Sequence, residues 1–169
     1  RRPTSKDKTA KSAGSDTVVD SRGVAYSGTV GVVDLDAGQQ IAEIATGLHP
    51  ADVRLSNDGK TLFVANANSD TISVIDTASR KVTRSITVRP DASLPFGSAS
   101  NALALSGDEK TLFVANGGNN AVAVVRLENE QQPVAGFIPV GWYPGAIVSD
   151  GQTLYVANVK GVGSRNADN

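Results

Sequence analysis

Side chains able to react or to grip a ligand are sparse in this sequence. The one histidine, His49, stands in Gly47-Leu48-His49-Pro50, and Trp142 and Tyr143 stand in the matching Gly141-Trp142-Tyr143-Pro144. Arg89, Asp91 and Phe96 crowd into one segment between these two motifs. An imidazole can serve as base or metal ligand, Arg and Asp can pair, and aromatic rings offer stacking platforms. A Ser-His-Asp set needs more than one histidine at a repeat-equivalent position. The lack of cysteine removes thiolate metal sites, a thiol nucleophile and a disulfide framework. Asp34-Leu35-Asp36-Ala37-Gly38 opens like a calcium loop, yet the position for the bidentate Glu is Ala45. Gly161-Val162-Gly163-Ser164-Arg165 is glycine-rich but lacks the Lys-Ser/Thr of a phosphate loop. The expectation is a segment with no catalytic residue, no metal site and no cofactor, in which the six candidates bind a ligand or partner.

Charge and hydropathy narrow the classes further. Sixteen basic against 17 acidic residues give a net charge of −1, with no bias towards nucleic acid or an anionic membrane. The basic start, Arg1, Arg2, Lys6, Lys8 and Lys11 against Asp7, lacks interleaved aromatics and reads as a solvated tail. Hydrophobic residues make up 40 % of the chain, enough for a core, and no apolar run approaches the ~18–20 residues of a membrane helix. Without any methionine there is no initiator, so the chain is expected to be processed or to be part of something longer.

The elements that must position the six candidates emerge from self-comparison. Thr61-Leu62-Phe63-Val64-Ala65-Asn66 returns 50 residues later as Thr111-Leu112-Phe113-Val114-Ala115-Asn116, and 42 residues after that as Thr153-Leu154-Tyr155-Val156-Ala157-Asn158. Thr29-Val30-Gly31-Val32-Val33-Asp34 returns after 42 residues as Thr71-Ile72-Ser73-Val74-Ile75-Asp76, and after a further 50 as Ala121-Val122-Ala123-Val124-Val125-Arg126. The period is 42, with eight extra residues between Arg89 and Ser100 in one copy.

Each unit reads as four short strands. Val, Ile and Thr supply 40 of the 169 residues, and branched Cβ atoms suit a pleated surface, while no stretch shows a sustained helical stripe. In the Phe63 unit the strands are expected at 51–55, 61–66, 71–76 and 82–88. Asp58-Gly59 and Asp150-Gly151 supply the positive φ of a tight hairpin, and Gly107-Asp108-Glu109 departs from that pattern. Leu62 and Val64 face one way and Phe63 and Ala65 the other, so both faces of the second strand are apolar. A sheet wet on one side would alternate apolar with polar. With no helices to cover it, neighbouring repeats must do so. Gly31, Ser73 and Ala123, small residues at one equivalent site of the third strand, are expected to make room for Phe63, Phe113 or Tyr155.

Face-to-face stacking of four-stranded units of this length describes a β-propeller; a β-sandwich or open barrel predicts no fixed 42-residue register. The fold class is all-β, a propeller segment of about three blades. Its strands run as a half-blade (29–34, 40–46), two full blades and a second half-blade (145–148, 153–158). Closed propellers have four to eight blades. The ring is therefore expected to be incomplete, and to be finished by remaining blades of the same protein or by another chain. Residues 1–27 read as a flexible linker or loop, 28–160 as the blades and 161–169 as a loop or tail.

Asn57-Asp58-Gly59-Lys60-Thr61-Leu62-Phe63-Val64-Ala65-Asn66, followed by Thr71-Ile72-Ser73-Val74-Ile75-Asp76-Thr77, resembles the blade of YVTN-repeat β-propellers over about residues 28–160. A narrower resemblance is to the propeller part of bacterial proteins that join such repeats to an alkaline-phosphatase-like phosphoesterase domain. It is carried by Arg89-Pro90-Asp91, Leu94-Pro95-Phe96-Gly97-Ser98, Phe137-Ile138-Pro139-Val140-Gly141-Trp142-Tyr143-Pro144 and Lys160-Gly161-Val162-Gly163-Ser164-Arg165. It implies an exported, extracytoplasmic multidomain protein with more blades and a hydrolase C-terminal to Asn169, none of whose metal ligands or nucleophile is in this segment. Two readings follow: a non-catalytic scaffold or interaction module, or the propeller portion of a phosphoesterase. A propeller lactonase or haem-binding propeller would need clustered acidic ligands or several channel histidines, and neither is present.

Antiparallel strands place alternate loops on one face. Loops 47–50, 89–100 and 141–144 therefore share a face with loops 67–70, 117–120 and the tail from Val159. That face gathers His49, Arg89, Asp91, Phe96, Trp142 and Tyr143, and long loops on a rigid scaffold are where binding residues concentrate. The competing structural roles are packing beside Pro50 or Pro144 for His49 and Tyr143, a place between blades or over the channel for Trp142, a local ion pair for Arg89 and Asp91, and turn or backbone bonding for Asn66, Asn116 and Asn158.

Overall fold

The computed structural model describes residues 5–12, 15–21, 23, 28–91 and 93–161. The basic residues Arg1 and Arg2, and Gly163, Ser164 and Arg165 of the glycine-rich segment, lie outside them. Where a linker or loop is expected before residue 28, the described part carries a short hairpin, β1 (Thr9–Ser12) and β2 (Ser15–Val18). A two-stranded sheet follows, β3 (Gly28–Asp34) with β4 (Gln39–Thr46). Next come two four-stranded antiparallel sheets. The first is β5 (Pro50–Leu55), β6 (Thr61–Asn66), β7 (Thr71–Asp76) and β8 (Lys81–Thr87). The second is β9 (Ser100–Leu105), β10 (Thr111–Asn116), β11 (Ala121–Arg126) and β12 (Val134–Pro139). A final pair, β13 (Pro144–Ser149) and β14 (Leu154–Asn158), ends the series. Expected and observed strands agree within a residue or two, and the only helical element among the described residues is a 3₁₀ turn at Gly117–Asn119.

The sheets stack as blades. The first strands lie side by side, β9 between β5 and β13, as they must where blades converge on an axis. In β6 paired with β7, Phe63 and Ala65 share a face with Ile72 and Val74, while Leu62 and Val64 share the other with Ile75. The first face joins Leu103, Leu105, Leu112, Val114, Ala123 and Val125 of the next blade in one core. The second joins Ile44, Val30 and Val32 of the preceding half-blade. Both faces of β6 are thus covered by neighbouring sheets. Ala123 sits in the cluster that holds Phe63, as the small-residue argument requires. Ser73 does something else: it faces the preceding half-blade, and its hydroxyl accepts a hydrogen bond from Asn66.

The repeat-equivalent aromatics report how far the stacking extends. Phe63, roofed by a complete blade, is 4 % exposed. Phe113, roofed only by the half-blade β13–β14, is half-buried. Tyr155, beyond which no described blade stands, is 56 % exposed. The arrangement is an open propeller segment with a dry middle and wet ends.

The departure at Glu109 changes the residue and leaves the turn intact. Gly59 and Glu109 both adopt left-handed backbone, φ 71° and 56°. Holding a non-glycine there costs roughly 1 kcal/mol. The Ser-x-Asp ahead of it sets the turn. Ser56 donates to Asp58, whose carboxylate accepts the Lys60 N–H; Ser106, Asp108 and Lys110 repeat both bonds. Glu109 also accepts from the Asn57 N–H at 2.8 Å, tying neighbouring hairpins.

These bonds hold the turn carboxyls below the usual carboxylate range, Asp58 chiefly through the Lys60 N–H, Asp108 chiefly through the Ser106 hydroxyl and Asp150 chiefly through the Thr153 N–H. A carboxyl depressed in the folded state contributes stability above its unfolded pKa of 3.8, lost as pH falls through the folded value. The melting temperature should therefore drop below pH 3.8, and Asp58→Asn with Asp108→Asn should flatten that acid limb; an unchanged limb would contradict the turn assignment. Phe63→Ala should cost about 3–5 kcal/mol in chemical denaturation, and Phe113→Ala less. A loss under about 1 kcal/mol at Phe63 would contradict burial between blades.

Candidate functional site

The face that holds the six candidates is built from one repeated junction. Each loop leading into a first strand is hydrogen-bonded to the loop that follows the second strand of the same blade. Ala67 and Asn68 donate to His49 and Leu48, Gly117 and Gly118 to Ala99 and Ser98, and Val159 and Lys160 to Tyr143 and Trp142. The lead-in loops therefore share the face that strand order assigns to them. The residue before each first strand has left-handed backbone: His49 at φ 56°, Ala99 at 51° and Tyr143 at 58°. His49 and Tyr143 are structural equivalents, as their motifs suggest, and Ala99 is the third member, disguised in sequence by the insertion.

Two side chains that the sequence did not single out lock successive junctions together. Asp70, fully buried, accepts from Gly97 N–H at 2.9 Å and Ala99 N–H at 3.2 Å in the next blade. Asn120, at the equivalent position before the third strand, accepts from Tyr143 N–H at 2.9 Å. Both have left-handed backbone, φ 53°, which Asn and Asp tolerate better than most residues. The available signal was an Asx residue directly before the third strand in two successive repeats.

The recurring asparagines bond inwards. Asn66 donates to Thr71 and Ser73 of its own blade. Asn116 accepts from Ser100 and donates to the Val88 carbonyl of the preceding blade at 2.7 Å. Gly47 must be glycine because a Cβ there would lie 2.7 Å from the Asn66 side chain, and Gly141 meets Asn158 in the same way.

On this tied surface the insertion adopts a compact local structure. Arg89 lies over the Phe96 ring, 4.6 Å from its centroid, and donates to the Leu94 carbonyl at 2.7 Å. The expected Arg89–Asp91 ion pair does not close. Asp91 instead accepts from the N–H and hydroxyl of Ser93, which with the nearby Arg89 charge hold its carboxyl below the usual range. A local turn satisfies the carboxylate more cheaply than holding a long side chain against it. Phe96 remains 59 % exposed, Trp142 45 % and Tyr143 39 %. The Tyr143 ring and the Gly97 carbonyl abut Gly117 and Gly118, so the insertion and the Trp142–Tyr143 loop flank one glycine pair. His49 is exposed one blade earlier and is not part of this cluster. Arg89 Nε, Ser98 Oγ and Asn119 Oδ1 are buried beneath the face with no protein partner.

A cavity of about 790 Å³ lies at the opposite end among Asp108, Lys110, Arg126 and Glu128. It is an open trough between exposed turns, bridged by a Lys110–Glu128 pair at 3.1 Å, and exposed pairs of this kind hold little. The exposed aromatic rings and Arg89 lie instead on the insertion face. Among the described residues no group of three or more His, Asp or Glu side chains is arranged to hold a metal ion, and no helix is long and apolar enough to cross a membrane.

Asp70→Ala strips an acceptor from two backbone N–H groups. It should cost about 1–3 kcal/mol and speed proteolytic cleavage within residues 89–98, and Asp70→Asn, which keeps one acceptor oxygen but turns an amide NH2 towards the other N–H, should recover only part of that loss. Unchanged cleavage in the alanine variant would contradict the locking role.

Comparison with known proteins places these features. The family model described as a YNCE-like beta-propeller matches residues 8–158, a span that includes the β1–β2 hairpin. Among solved structures, the chain is similar to Kuenenia stuttgartiensis hydrazine synthase at 31 % identity, covering 67 % of this chain and 30 % of that one with a TM-score of 0.57. A functionally unknown protein from Desulfotomaculum acetoxidans DSM 771 matches at 17 % identity over 77 % of this chain and 41 % of that one, TM-score 0.59. Dihydro-heme d1 dehydrogenase NirN in complex with DHE matches at 19 % over 76 % and 27 %, TM-score 0.58. The last two likenesses show the fold alone. The chain spans well under half the length of each of these solved chains. No curated protein matches it.

Proposed function

The chain belongs to the YNCE-like β-propeller family, and from that premise we propose that it is a non-catalytic scaffold and interaction module of an exported bacterial multidomain protein. One observation carries this reading: Phe96 on Arg89, and Trp142 beside Tyr143, stand exposed on a face whose loops are locked to one another by Asp70 and Asn120. Exposed aromatic and arginine side chains on a rigid base are the residue types that anchor protein interfaces, because they bury large area at low entropic cost. Asp91, in the same insertion, would contribute at the rim of the patch, whereas His49 stands one blade away from it. The propeller ring is incomplete, so remaining blades or another chain complete it.

A second reading is favoured by the motifs at 89–98, 137–144 and 160–165: the segment is the propeller portion of an alkaline-phosphatase-like phosphoesterase whose catalytic domain lies outside it. The two readings differ in what the parent protein does, and they agree that this chain supplies surface and not chemistry.

A photo-crosslinking residue at position 96 or 142 of the full-length protein, in its own cells, should trap a partner or another domain, whereas position 78 on the opposite face should not. Trp142→Ala should weaken the trapped interaction about tenfold or more. No adduct from either position, or turnover of a phosphate ester by the isolated folded chain, would overturn the proposal.

A further inference from the structure

We propose that Arg89 is the receptor for a carboxylate of the partner that docks on the insertion face, so that the partner presents an Asp or Glu side chain there. The proposal rests on the interaction-module reading and names the chemistry of its occupant. In the two flanking junctions a single glycine, Gly47 or Gly141, joins the end of one blade to the lead-in residue of the next, Leu48 or Trp142. In the middle junction residues 89–97 take the place of that glycine, and Ser98 takes that of Leu48. Blade geometry therefore requires none of the eight extra residues. What they bring to the face is an arginine under a phenylalanine ring.

Asp70 holds both ends of the segment. Its carbonyl accepts the Val88 N–H and its carboxylate the Gly97 N–H, each at 2.9 Å, so Arg89 and Ser98 start from adjoining points. The Arg89 guanidinium lies over the Phe96 ring and donates from Nη1 to the Leu94 carbonyl. This leaves the Nε–Nη2 edge, one of the edges that fork onto a carboxylate, and Nε is buried with no protein partner. Neighbouring acids do not take it: Asp91 is bonded to Ser93, and Asp70 to Gly97 and Ala99. Stacking on the ring orients the guanidinium before any acid arrives. Arg89 is the only basic residue of the segment and Asp91 stands two positions on, so the site balances a single negative charge. That suits a carboxylate and not a phosphate dianion.

The floor of the segment is an independent observation. In the preceding junction the Ser69 hydroxyl accepts the Leu48 N–H at 2.7 Å. Asn119 and Ser98 occupy those two positions here, and Asn119 Oδ1 and the buried Ser98 Oγ have no protein partner. The equivalent pair is satisfied one blade earlier, so the deficit belongs to the insertion and not to the repeat. Buried polar atoms left unpaired are costly, and a carboxylate on Arg89 gives the Ser98 hydroxyl an acceptor. Nε is covered, so the acid enters as residues 91–96 rise. Among the described residues, the hydrogen bonds of 91–96 that leave the segment run only to Arg89. A forked pair with an opposite charge is stronger than that single bond to a neutral carbonyl.

The test selects short peptides from a random displayed library on the full-length protein. Binders lost on Trp142→Ala report this face, and among them Asp or Glu should recur at one position. The Glu form of a selected peptide, titrated calorimetrically, should bind the wild type about tenfold or more tightly than its Gln form. The two forms should bind Arg89→Ala equally, and Arg89→Lys, which keeps the charge without the fork, should fall between. A phosphoserine form should bind no tighter than the Glu form. Ser98→Ala should leave the melting temperature of the free protein unchanged, since no bond is lost, and weaken the Glu peptide about two- to tenfold. A Glu preference that survives Arg89→Ala, an unweakened Glu peptide on Ser98→Ala, or tighter binding of the phosphoserine form would overturn the proposal. Face-dependent peptides with no recurrent acid would overturn it and leave the interaction module standing. A selection with no face-dependent peptide also overturns it, and the absence of crosslinks from positions 96 and 142 removes the module itself.

Discussion

A strand whose side chains are apolar on both faces cannot lie at the boundary between protein and water. Leu62 and Val64 on one side of β6, and Phe63 and Ala65 on the other, impose this condition on the central blade, and Leu112 to Ala115 impose it on the next. Without helices, the only cover is another sheet with the same problem. Sheets that cover one another in series, each twisted relative to the last, generate a ring. The core between the two complete blades, from Phe63 and Ile86 to Leu112 and Val125, is the material expression of that constraint. Progressive exposure from Phe63 through Phe113 to Tyr155 follows directly, since each aromatic is buried by the blade after it.

Packing alone leaves the angle between blades soft, and polar contacts fix it. Asp52 accepts the Leu103 N–H of the next blade at 2.8 Å, and Asn116 reaches back to Val88. Asp70 and Asn120 hold the following lead-in loops, and Arg84 binds three carbonyls of the β11–β12 loop. Each ties backbone of one blade to a side chain of another. On the insertion face the same ties create a firm base from which Phe96, Trp142 and Tyr143 project, which links the stability of the blades to the presentation of these rings.

Much of this was legible in the sequence because the period of the repeat and the two-residue alternation of strands are both set by local chemistry. Strand positions, face assignments and the shared surface of loops 47–50, 89–100 and 141–144 followed from them. What escaped was either long-range or masked. Asp70 and Asn120 act on residues more than twenty positions away, and nothing in their own neighbourhood distinguishes a clamp from a turn. Ala99 was hidden as the partner of His49 and Tyr143 by the insertion before it. The Arg89–Asp91 pairing was inferred from proximity, but Ser93 and Leu94 offered nearer partners. Glu109 looked like a departure because glycine marks the turn in the other copies, whereas Ser106 and Asp108 set its geometry.

The account stands or falls on whether apolar faces of successive blades stabilise one another. A double-mutant cycle on Phe63 and Leu105, which lie in one core from two different blades, measures that coupling most directly. Phe63→Ala, Leu105→Ala and the double variant, unfolded in urea, should give a coupling of about 0.5–3 kcal/mol. Additivity of the two single losses, within a few tenths of a kcal/mol as for independent sites, would show that the blades are stable on their own and contradict the claim.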